Sequence, residues 1–225
     1  MNGDRRGTRL FGIYGTGGCG RGVLPVADAM LLVEHDPVAY ELVFIDDAPA
    51  SREINGRRVL SFDEFVAYDA SSRAVSIAVA NAGVRRRLAA RCTDHDVDFF
   101  TIVAPNAIVM DDTQIGEGAV LSPFVTITSN VRIGRHFHAN LYSSVEHDCT
   151  VGDFVTFAPG VRCNGNIVIE DGAYLGSGCL LRQGKPGSPL VIGEGAVVGM
   201  GAVVVENVPP GVTVVGNPAK SLRTP

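Results

Sequence analysis

The sequence predicts a small Rossmann-like α/β domain followed by a parallel β-helix of hexapeptide repeats. Up to position 104, buried strands alternate with helical segments and a glycine-rich turn, which is typical of a parallel sheet. From Pro105 onward, an aliphatic or small residue recurs at every sixth position instead. We expect an α/β domain at residues 1–104, a β-helix at 105–210 and a C-terminal capping tail at 211–225.

The composition narrows the possible functions. The chain has 225 residues, a net charge of −5 and no apolar run of transmembrane length. The negative charge disfavours a general role in binding nucleic acid or membrane surfaces. The polar N-terminus is unlike a signal peptide, so we expect a cytoplasmic protein with reduced cysteines. No spacing of His, Cys or Asp indicates a metal site, and we expect no metal.

The α/β domain is predicted from hydrophobic periodicity and from one glycine-rich turn. Gly15, Gly17 and Gly20 fit the pattern G-x-G-x-x-G between a strand and a helix. Such a turn lets backbone N–H groups approach an anion at the helix N-terminus. The predicted elements are strands at 9–14, 41–45, 75–80 and 98–103 and helices at 21–33 and 84–91.

This domain is predicted to bind the nucleotide portion of a substrate. Asp46 and Asp47 follow the second strand, where a carboxylate can accept hydrogen bonds from a ribose or a base. At about 100 residues the domain is small for a dinucleotide fold, which favours a mononucleotide. The alternative is that the glycines only make a tight turn.

The hexapeptide period predicts the β-helix. Aliphatic or small residues occupy every sixth position from Val109 to Leu181, and the period resumes at Ile192. Six residues make one flat side, and three sides make a triangular coil whose centre these residues fill. Coils stack about 4.8 Å apart, as neighbouring strands do. The alternative is a purely structural solenoid without a catalytic site.

One interruption breaks the period. Leu181 and Ile192 are eleven positions apart instead of six, and the segment between them is rich in Gly and Pro. It must leave the prism as a loop. The loop carries Arg182 and Lys185. Two interpretations stay open: a solvated loop, or a loop that holds a phosphate-bearing ligand along the prism wall.

The segment Ser144–Cys149 contains the candidate catalytic group. His147 lies between Glu146 and Asp148, two positions after the interior residue Val145, so its side chain can face outward. A histidine is suited to take a proton near neutral pH, and a neighbouring carboxylate can orient its ring. His136 and His138 lack this acidic setting, and we expect them to be structural or peripheral. The alternative for His147 is an incidental surface histidine.

The combination of motifs resembles a known family. The strand with its glycine turn, the array containing Glu146-His147-Asp148-Cys149 and the C-terminal Gly216-Asn217-Pro218-Ala219-Lys220 are similar to bacterial nucleotide-sugar N-acetyltransferases. These belong to the left-handed β-helix superfamily, in the branch that includes the sialic acid O-acetyltransferases. The resemblance covers nearly the whole chain. It implies a homotrimer with active sites between subunits and acetyl-CoA as co-substrate.

The resemblance also implies roles for individual residues. His147 would be the general base and Asp148 its partner. The sugar nucleotide would contact residues of the α/β domain and one residue of the β-helix: Gly17, Gly18, Cys19, Asp46, Asp47, Ala80, Asn81 and Asn140. Acetyl-CoA would run along the later coils, near Gly165, Ser177 and Met200, with Lys220 of the tail near its adenine end. The interpretation in which the loop holds a phosphate-bearing ligand adds Arg182 and Lys185 to the candidates for binding acetyl-CoA.

Three features depart from the family pattern. Cys19 stands where many members have a histidine in the glycine turn, and Thr156 stands where some have a second histidine. The second departure leaves backbone N–H groups as the expected donors to the thioester oxygen. The loop after Leu181 is the third departure, and it bears on how acetyl-CoA is held.

The expected activity is acetylation of the amino group of a UDP- or GDP-linked amino sugar, with UDP preferred, for surface glycan synthesis. The same base would serve a hydroxyl, so a sugar O-acetyltransferase is an alternative. A non-catalytic scaffold that binds sugar nucleotides is an alternative from another class.

Overall fold

The computed structural model describes residues 8–222, which form two compact units. The first unit ends at Pro105 and the second begins at Asn106. The change from mixed strands and helices to short strands alone falls at the same point. No helix in the described residues is long and apolar enough to cross a membrane.

The first unit is an α/β structure with a six-stranded sheet in the order β3-β4-β2-β1-β5-β6. Strand β1 pairs in parallel with β2 and β5, and these three form the buried centre. The elements are β1 (Arg9–Tyr14), α1 (Gly18–Glu34), β2 (Tyr40–Ile45), β3 (Glu53–Ile54), β4 (Arg57–Leu60), α2 (Phe62–Val66), β5 (Ser72–Ile77), α3 (Ala82–Asp94), β6 (Asp98–Phe99) and β7 (Ile102–Val103).

This unit contains three elements that the periodicity did not predict. Strands β3 and β4 form a hairpin whose turn residues Asn55 and Gly56 have φ of 50° and 73°. Asn-Gly is the preferred pair for such a turn. Helix α2 begins with a capping box in which Ser61 and Glu64 bond each other's backbone N–H groups. Both signals are short, so hydrophobic periodicity does not detect them.

The boundaries of the predicted elements also shift. Helix α1 begins at Gly18 rather than at Arg21, which places part of the glycine turn inside the helix. Strand β5 begins and ends three residues earlier than predicted, because it pairs with β1 from Ser72 opposite Arg9 to Ile77 opposite Tyr14. The predicted last strand is two short strands, β6 and β7.

The second unit consists of short strands with no helix among its described residues. The strands are β8 (Ile108–Val109), β9 (Gln114–Ile115), β10 (Val120–Leu121), β11 (Thr126–Ile127), β12 (Arg132–Ile133), β13 (His138–Ala139), β14 (Ser144–Val145), β15 (Thr150–Val151), β16 (Thr156–Phe157), β17 (Arg162–Cys163), β18 (Ile167–Ile169), β19 (Tyr174–Leu175), β20 (Leu180–Leu181), β21 (Leu190–Ile192), β22 (Val197–Val198), β23 (Val203–Val204), β24 (Thr213–Val215) and β25 (Lys220–Ser221).

These strands stack into three parallel faces, as the hexapeptide period predicts. Each strand pairs with the strand one coil later, for example Thr126 with Ser144 and Val145 with Cys163. The first face contains β8, β11, β14, β17, β20 and β23, and the second contains β9, β12, β15, β18 and β21. The third face contains β10, β13, β16, β19, β22 and β24, and β25 pairs antiparallel with β24. The aliphatic position of each repeat is buried in the centre.

The edges between faces are made by residues with positive φ. From position 112 to 178 such a residue occurs at every sixth position. The edge between the first and second faces has Asp112, Asn130, Asp148 and Asn166 there, with φ between 49° and 60°; we call it the Asn/Asp edge. Asn and Asp tolerate this left-handed conformation better than other side chains.

Aromatic residues occupy this position on another edge. Phe124 and Tyr142, with φ of 63° and 61°, mark the edge between the third and first faces; we call it the Phe124/Tyr142 edge. Positive φ is unfavourable for such bulky residues. Their rings stack at 4.9 Å with an interplanar angle of 2°, and this contact helps to stabilise the conformation.

Candidate active site

The candidate base lies on the Asn/Asp edge, directly after β14. Its Nδ1 atom is 2.8 Å from Oδ2 of Asp148, and both side chains are about half exposed. An ionised carboxylate only accepts hydrogen bonds, so Nδ1 of His147 must carry the proton. The lone pair is then on Nε2, where it can accept a proton from a substrate. The carboxylate of Glu146 makes no hydrogen bond within residues 8–222.

Residues one coil apart form a row along this edge. The N–H of Asp148 donates to the carbonyl of Ser129 in the preceding coil. The N–H of Asn166 donates to the carbonyl of His147 at 3.0 Å, and the N–H of Gly184 donates to that of Gly165 at 2.9 Å. The row therefore runs from Ser129 through His147 and Gly165 to Gln183.

The loop after β20 leaves the prism at the end of this row. Its tip is closed by two backbone hydrogen bonds between Lys185 and Ser188, at 3.1 and 2.9 Å. Beside it is an open cavity of about 860 Å³. The lining includes the side chains of Arg182, Lys185 and Glu206. A cavity lined by two cationic residues and one acidic residue thus lies on the edge that carries the candidate base.

The remaining cofactor candidates of the β-helix lie elsewhere. The N–H of Gly201 donates to the carbonyl of Ser177, so Met200 and Ser177 occupy neighbouring coils on the Phe124/Tyr142 edge. The side chain of Met200 is 82% exposed. Asn140 lies at the same edge and donates from Nδ2 to the carbonyl of Phe157. A single prism does not bring these residues to His147.

Lys220 lies in β25, with its Nζ 3.8 Å from a carboxylate oxygen of Glu206. This ion pair is largely exposed and contributes little stability. It lies between the cavity beside the loop and a smaller one of about 230 Å³ lined by residues of the tail. Lys220 is thus near the Gln183 end of the row that contains the candidate base.

The histidines at 136 and 138 are buried, 2% and 3% exposed, and His136 stacks on Phe154. Both fit the expectation of a structural role. Thr156, at the position of the second family histidine, pairs with His138 in the neighbouring strand and is also buried.

In the first unit, parallel pairing brings the nucleotide candidates to one end of the sheet. Tyr14 is in register with Ile45 and with Ile77, so β1, β2 and β5 end at the same edge. A Cβ atom built at Gly17 or Gly18 would meet nothing within 4 Å. Chain packing therefore does not require glycine there, and another molecule can approach the backbone closely.

The two aspartates after β2 have different environments. Asp46 accepts hydrogen bonds from the Thr16 hydroxyl and from the N–H of Ala48. Asp47 accepts from the Tyr14 hydroxyl at 2.7 Å, from Arg91 at 2.5 Å and from the backbone N–H of Phe62 at 3.0 Å. Three donors bind Asp47 inside this unit, which leaves Asp46 as the better candidate for a ligand.

Other residues of this edge support the backbone. Asn81 caps α3 by accepting from the N–H of Val84 at 2.9 Å, and Ala80 is exposed. The guanidinium of Arg85 is fully buried and donates to the carbonyls of Val79 and Ala80. Burial lowers the pKa of Arg85 to about 10 and raises that of the Cys19 thiol.

Sequence reasoning missed Thr16, Arg85 and Arg91. No local motif marks these residues, and the partners of Thr16 and Arg91 lie between 28 and 77 positions away in the chain. Among residues 8–222, no cluster of three or more His, Cys, Asp or Glu side chains could hold a metal ion.

Comparison with known proteins decides the family. GDP-perosamine N-acetyltransferase of Escherichia coli O157:H7 is 50% identical over 214 residues, which are 95% of this chain and 96% of the relative. The chain belongs to the hexapeptide-repeat nucleotide-sugar N-acetyltransferases. No protein-family model matches the chain.

Solved structures agree with this assignment. WeeI from Acinetobacter baumannii AYE is 47% identical, with a TM-score of 0.91 over 96% of this chain and all of the other. The acetyltransferase domain of PglB from Neisseria gonorrhoeae FA1090, in complex with acetyl coenzyme A, is 28% identical, with a TM-score of 0.82 over the same shares. They confirm the predicted fold, an α/β domain with a left-handed β-helix. The acetyltransferase uses acetyl-CoA to acetylate the amino group of a nucleotide-linked sugar.

The hydrogen bonds that Asp47 accepts from Tyr14, Phe62 and Arg91 predict how the stability of the fold depends on pH. Burial raises the pKa of Asp47, but the hydrogen bonds from Tyr14, Phe62 and Arg91 outweigh burial and hold it below its ordinary value of 3.8. The carboxylate therefore stabilises the fold above pH 3.8, and this contribution is lost as the pH falls through the lowered pKa. Asp47→Asn should cost about 1 kcal/mol at pH 7, a value reduced for the 45% exposure of the side chain.

Urea unfolding of wild type and Asp47→Asn between pH 7 and pH 2.5 measures this difference, which should shrink below about pH 4. Asp63→Asn is the control, because Asp63 is 87% exposed and also contacts Arg91. A difference that stays constant over the whole range would contradict the assignment.

Proposed function

We propose that the acetyltransferase acts on GDP-perosamine, a GDP-linked amino sugar, with His147 as the general base. The named relative that is 50% identical over nearly the whole chain acts on this class of substrate, which favours GDP over the UDP expected from the sequence. The observation that carries the mechanism is the Asp148–His147 pair, in the row that leads to the cavity lined by Arg182 and Lys185.

In the proposed reaction, the sugar amine attacks the thioester carbonyl of acetyl-CoA. Nε2 of His147 takes the proton of the attacking amine, and Asp148 stabilises the resulting imidazolium. The imidazolium then returns the proton to the departing CoA sulfur. The N–H of Gly165 donates to no acceptor within residues 8–222, so it can serve the oxyanion. The product is an acetamido sugar for surface glycan synthesis, and we place the enzyme in the cytoplasm.

We place the sugar nucleotide on the α/β domain, at the edge where β1, β2 and β5 end. The phosphates would lie against the open backbone of Gly17, Gly18 and Cys19, at the N-terminus of α1. Asp46 would bind the base or the ribose, with Asp47 supporting the turn. The exposed turn formed by Ala80 and Asn81 would complete the pocket. We propose that the first two domains end at residues 104 and 210, with residues 211–225 as the tail.

We place acetyl-CoA along the Asn/Asp edge. Its reacting end would meet His147 and Gly165, and its phosphates would meet Arg182 and Lys185 beside the 860 Å³ cavity. Lys220 would lie near the adenine end. The loop that departs from the family pattern thus supplies the cations for the donor.

We propose a homotrimer because the β-helix candidates lie on two edges. Asn140, Ser177 and Met200 lie on the Phe124/Tyr142 edge, whereas His147 lies on the Asn/Asp edge. One ligand can meet both sets where the edges of two copies come together. The Phe124/Tyr142 edge also exposes large apolar side chains, as a subunit interface requires: Phe124, Leu141, Tyr142 and Met200.

The first test is a substrate panel. Wild type should acetylate GDP-perosamine and release free CoA, with a kcat/KM at least tenfold above that for UDP- or dTDP-linked 4-amino sugars. His147→Ala should lower kcat by about 10²–10⁴-fold, because general base catalysis contributes this much. His95→Gln, a change of an exposed histidine in the α/β domain, is the matched control. A wild-type rate in His147→Ala would rule out the mechanism, and a preference for UDP sugars would rule out the substrate.

The second test concerns the loop cations. Arg182→Ala and Lys185→Ala should each raise the KM for acetyl-CoA about fivefold, since an exposed charge pair contributes about 1 kcal/mol. The KM for acetyl-pantetheine, which lacks the nucleotide phosphates, should not change. Ser188→Ala removes an uncharged side chain of the same loop and should have no effect. Equal effects on both donors would show that the cations do not bind phosphate.

The third test concerns assembly. Tyr142→Asp should lower the molar mass measured by sedimentation from trimer to monomer, because it places a charge in the apolar interface. Aspartate tolerates the left-handed conformation at this position, so the prism should still fold. Val33→Asp, on the exposed surface of the α/β domain, should leave the trimer unchanged. A trimeric Tyr142→Asp would contradict the proposed interface.

A further inference from the structure

The imidazole of His147 lies directly on Gly165 of the next coil. A Cβ atom built on Gly165 would be 2.5 Å from Cε1, 2.6 Å from Nε2 and 2.9 Å from Nδ1 of the ring. These three atoms are its nearest neighbours. The ring therefore occupies the space that any side chain at position 165 would need.

The backbone of Gly165 does not itself require glycine. Its φ is outside the positive range, so other residues can adopt the same conformation. Gly134 and Gly176 differ, because a Cβ there would meet the backbone of the next coil within 2.7 Å. Gly118 also lies under a histidine ring, that of His136, but its φ of 69° favours glycine independently. At position 165, the histidine ring is what requires glycine.

Two contacts thus determine the position of the base. Asp148 fixes the proton on Nδ1 through a 2.8 Å hydrogen bond. Gly165 lets the ring lean along the row, towards Gln183 and the cavity lined by Arg182 and Lys185. Without this space the ring could not keep both the carboxylate contact and its orientation towards the donor.

We propose that Gly165 is a positioning residue for acetyl transfer, whose missing side chain seats the His147 ring; this rests on the proposed role of His147 as base. A methyl group at position 165 moves the ring by about 1 Å to reach ordinary contact distance. A misplacement of this size costs about 10²-fold in rate. The loss falls on kcat, because Gly165→Ala keeps the backbone N–H proposed for the oxyanion and displaces only the ring that takes the proton.

A double-mutant cycle tests the proposal: wild type, Gly165→Ala, His147→Ala and the double variant, each assayed for kcat and for both KM values. Gly165→Ala should lower kcat about 10²-fold and leave both KM values within about threefold. In the His147→Ala background, Gly165→Ala should have no further effect, because the ring that it displaces is gone. The ¹⁵N chemical shifts of His147 should report loss of the single protonated Nδ1 in Gly165→Ala.

The outcomes separate this proposal from the proposed function. If His147→Ala keeps the wild-type rate, His147 is not the base, and the proposed function fails. If His147→Ala is inactive but Gly165→Ala has a wild-type kcat, only the positioning role of Gly165 is refuted. If Gly165→Ala raises the KM for acetyl-CoA equally in both backgrounds, the added methyl group obstructs acetyl-CoA itself. The positioning role of Gly165 is then refuted as well. If Gly165→Ala folds poorly, the positioning role predicts that adding His147→Ala restores the thermal stability. A double variant that stays unstable would overturn the proposal.

Discussion

The second unit depends on one backbone constraint: a residue with positive φ at every sixth position. This residue turns the chain at each edge, so eighteen residues close a coil and the same position recurs directly above itself. Residues eighteen positions apart in the sequence therefore lie next to each other in neighbouring coils. His147, Gly165 and Gln183, eighteen positions apart, form one row. Apolar side chains fill the centre of the coils, but the positive-φ residues at the edges determine which side chains of neighbouring coils lie next to each other.

Asp148 has both a backbone role at the edge and a side-chain contact with His147. Its backbone has φ of 59° and makes the turn, as Asn130 and Asn166 do in the neighbouring coils. The turn brings its carboxylate back to Nδ1 of the preceding residue, His147. The partner of the proposed base is therefore also a part of the scaffold. The side chains of His147 and Asp148 can contact each other although the residues are adjacent in sequence, because the chain turns at this edge.

The two units use carboxylates in different ways. In the β-helix, carboxylates bond backbone N–H groups of neighbouring coils, as Asp153 does with Arg135 and Asp171 does with Asp153. In the α/β unit, Asp47 joins Tyr14 and Arg91, which come from β1 and α3. This arrangement holds the ends of strands and helices around the glycine turn.

The amino-acid sequence was sufficient to predict the class of both units and to single out His147 and Asp148 as a candidate pair. These follow from periodicity and from adjacent residues, which are local properties. It did not predict the hairpin at Asn55, since a two-residue turn signal is weaker than a long hydrophobic period. It also did not separate Asp46 from Asp47. The tertiary structure was needed to show which aspartate is engaged, which edge carries each candidate and that the His147 ring lies on Gly165. These properties depend on contacts between residues eighteen or more positions apart, and spacing along one chain does not specify where a side chain points.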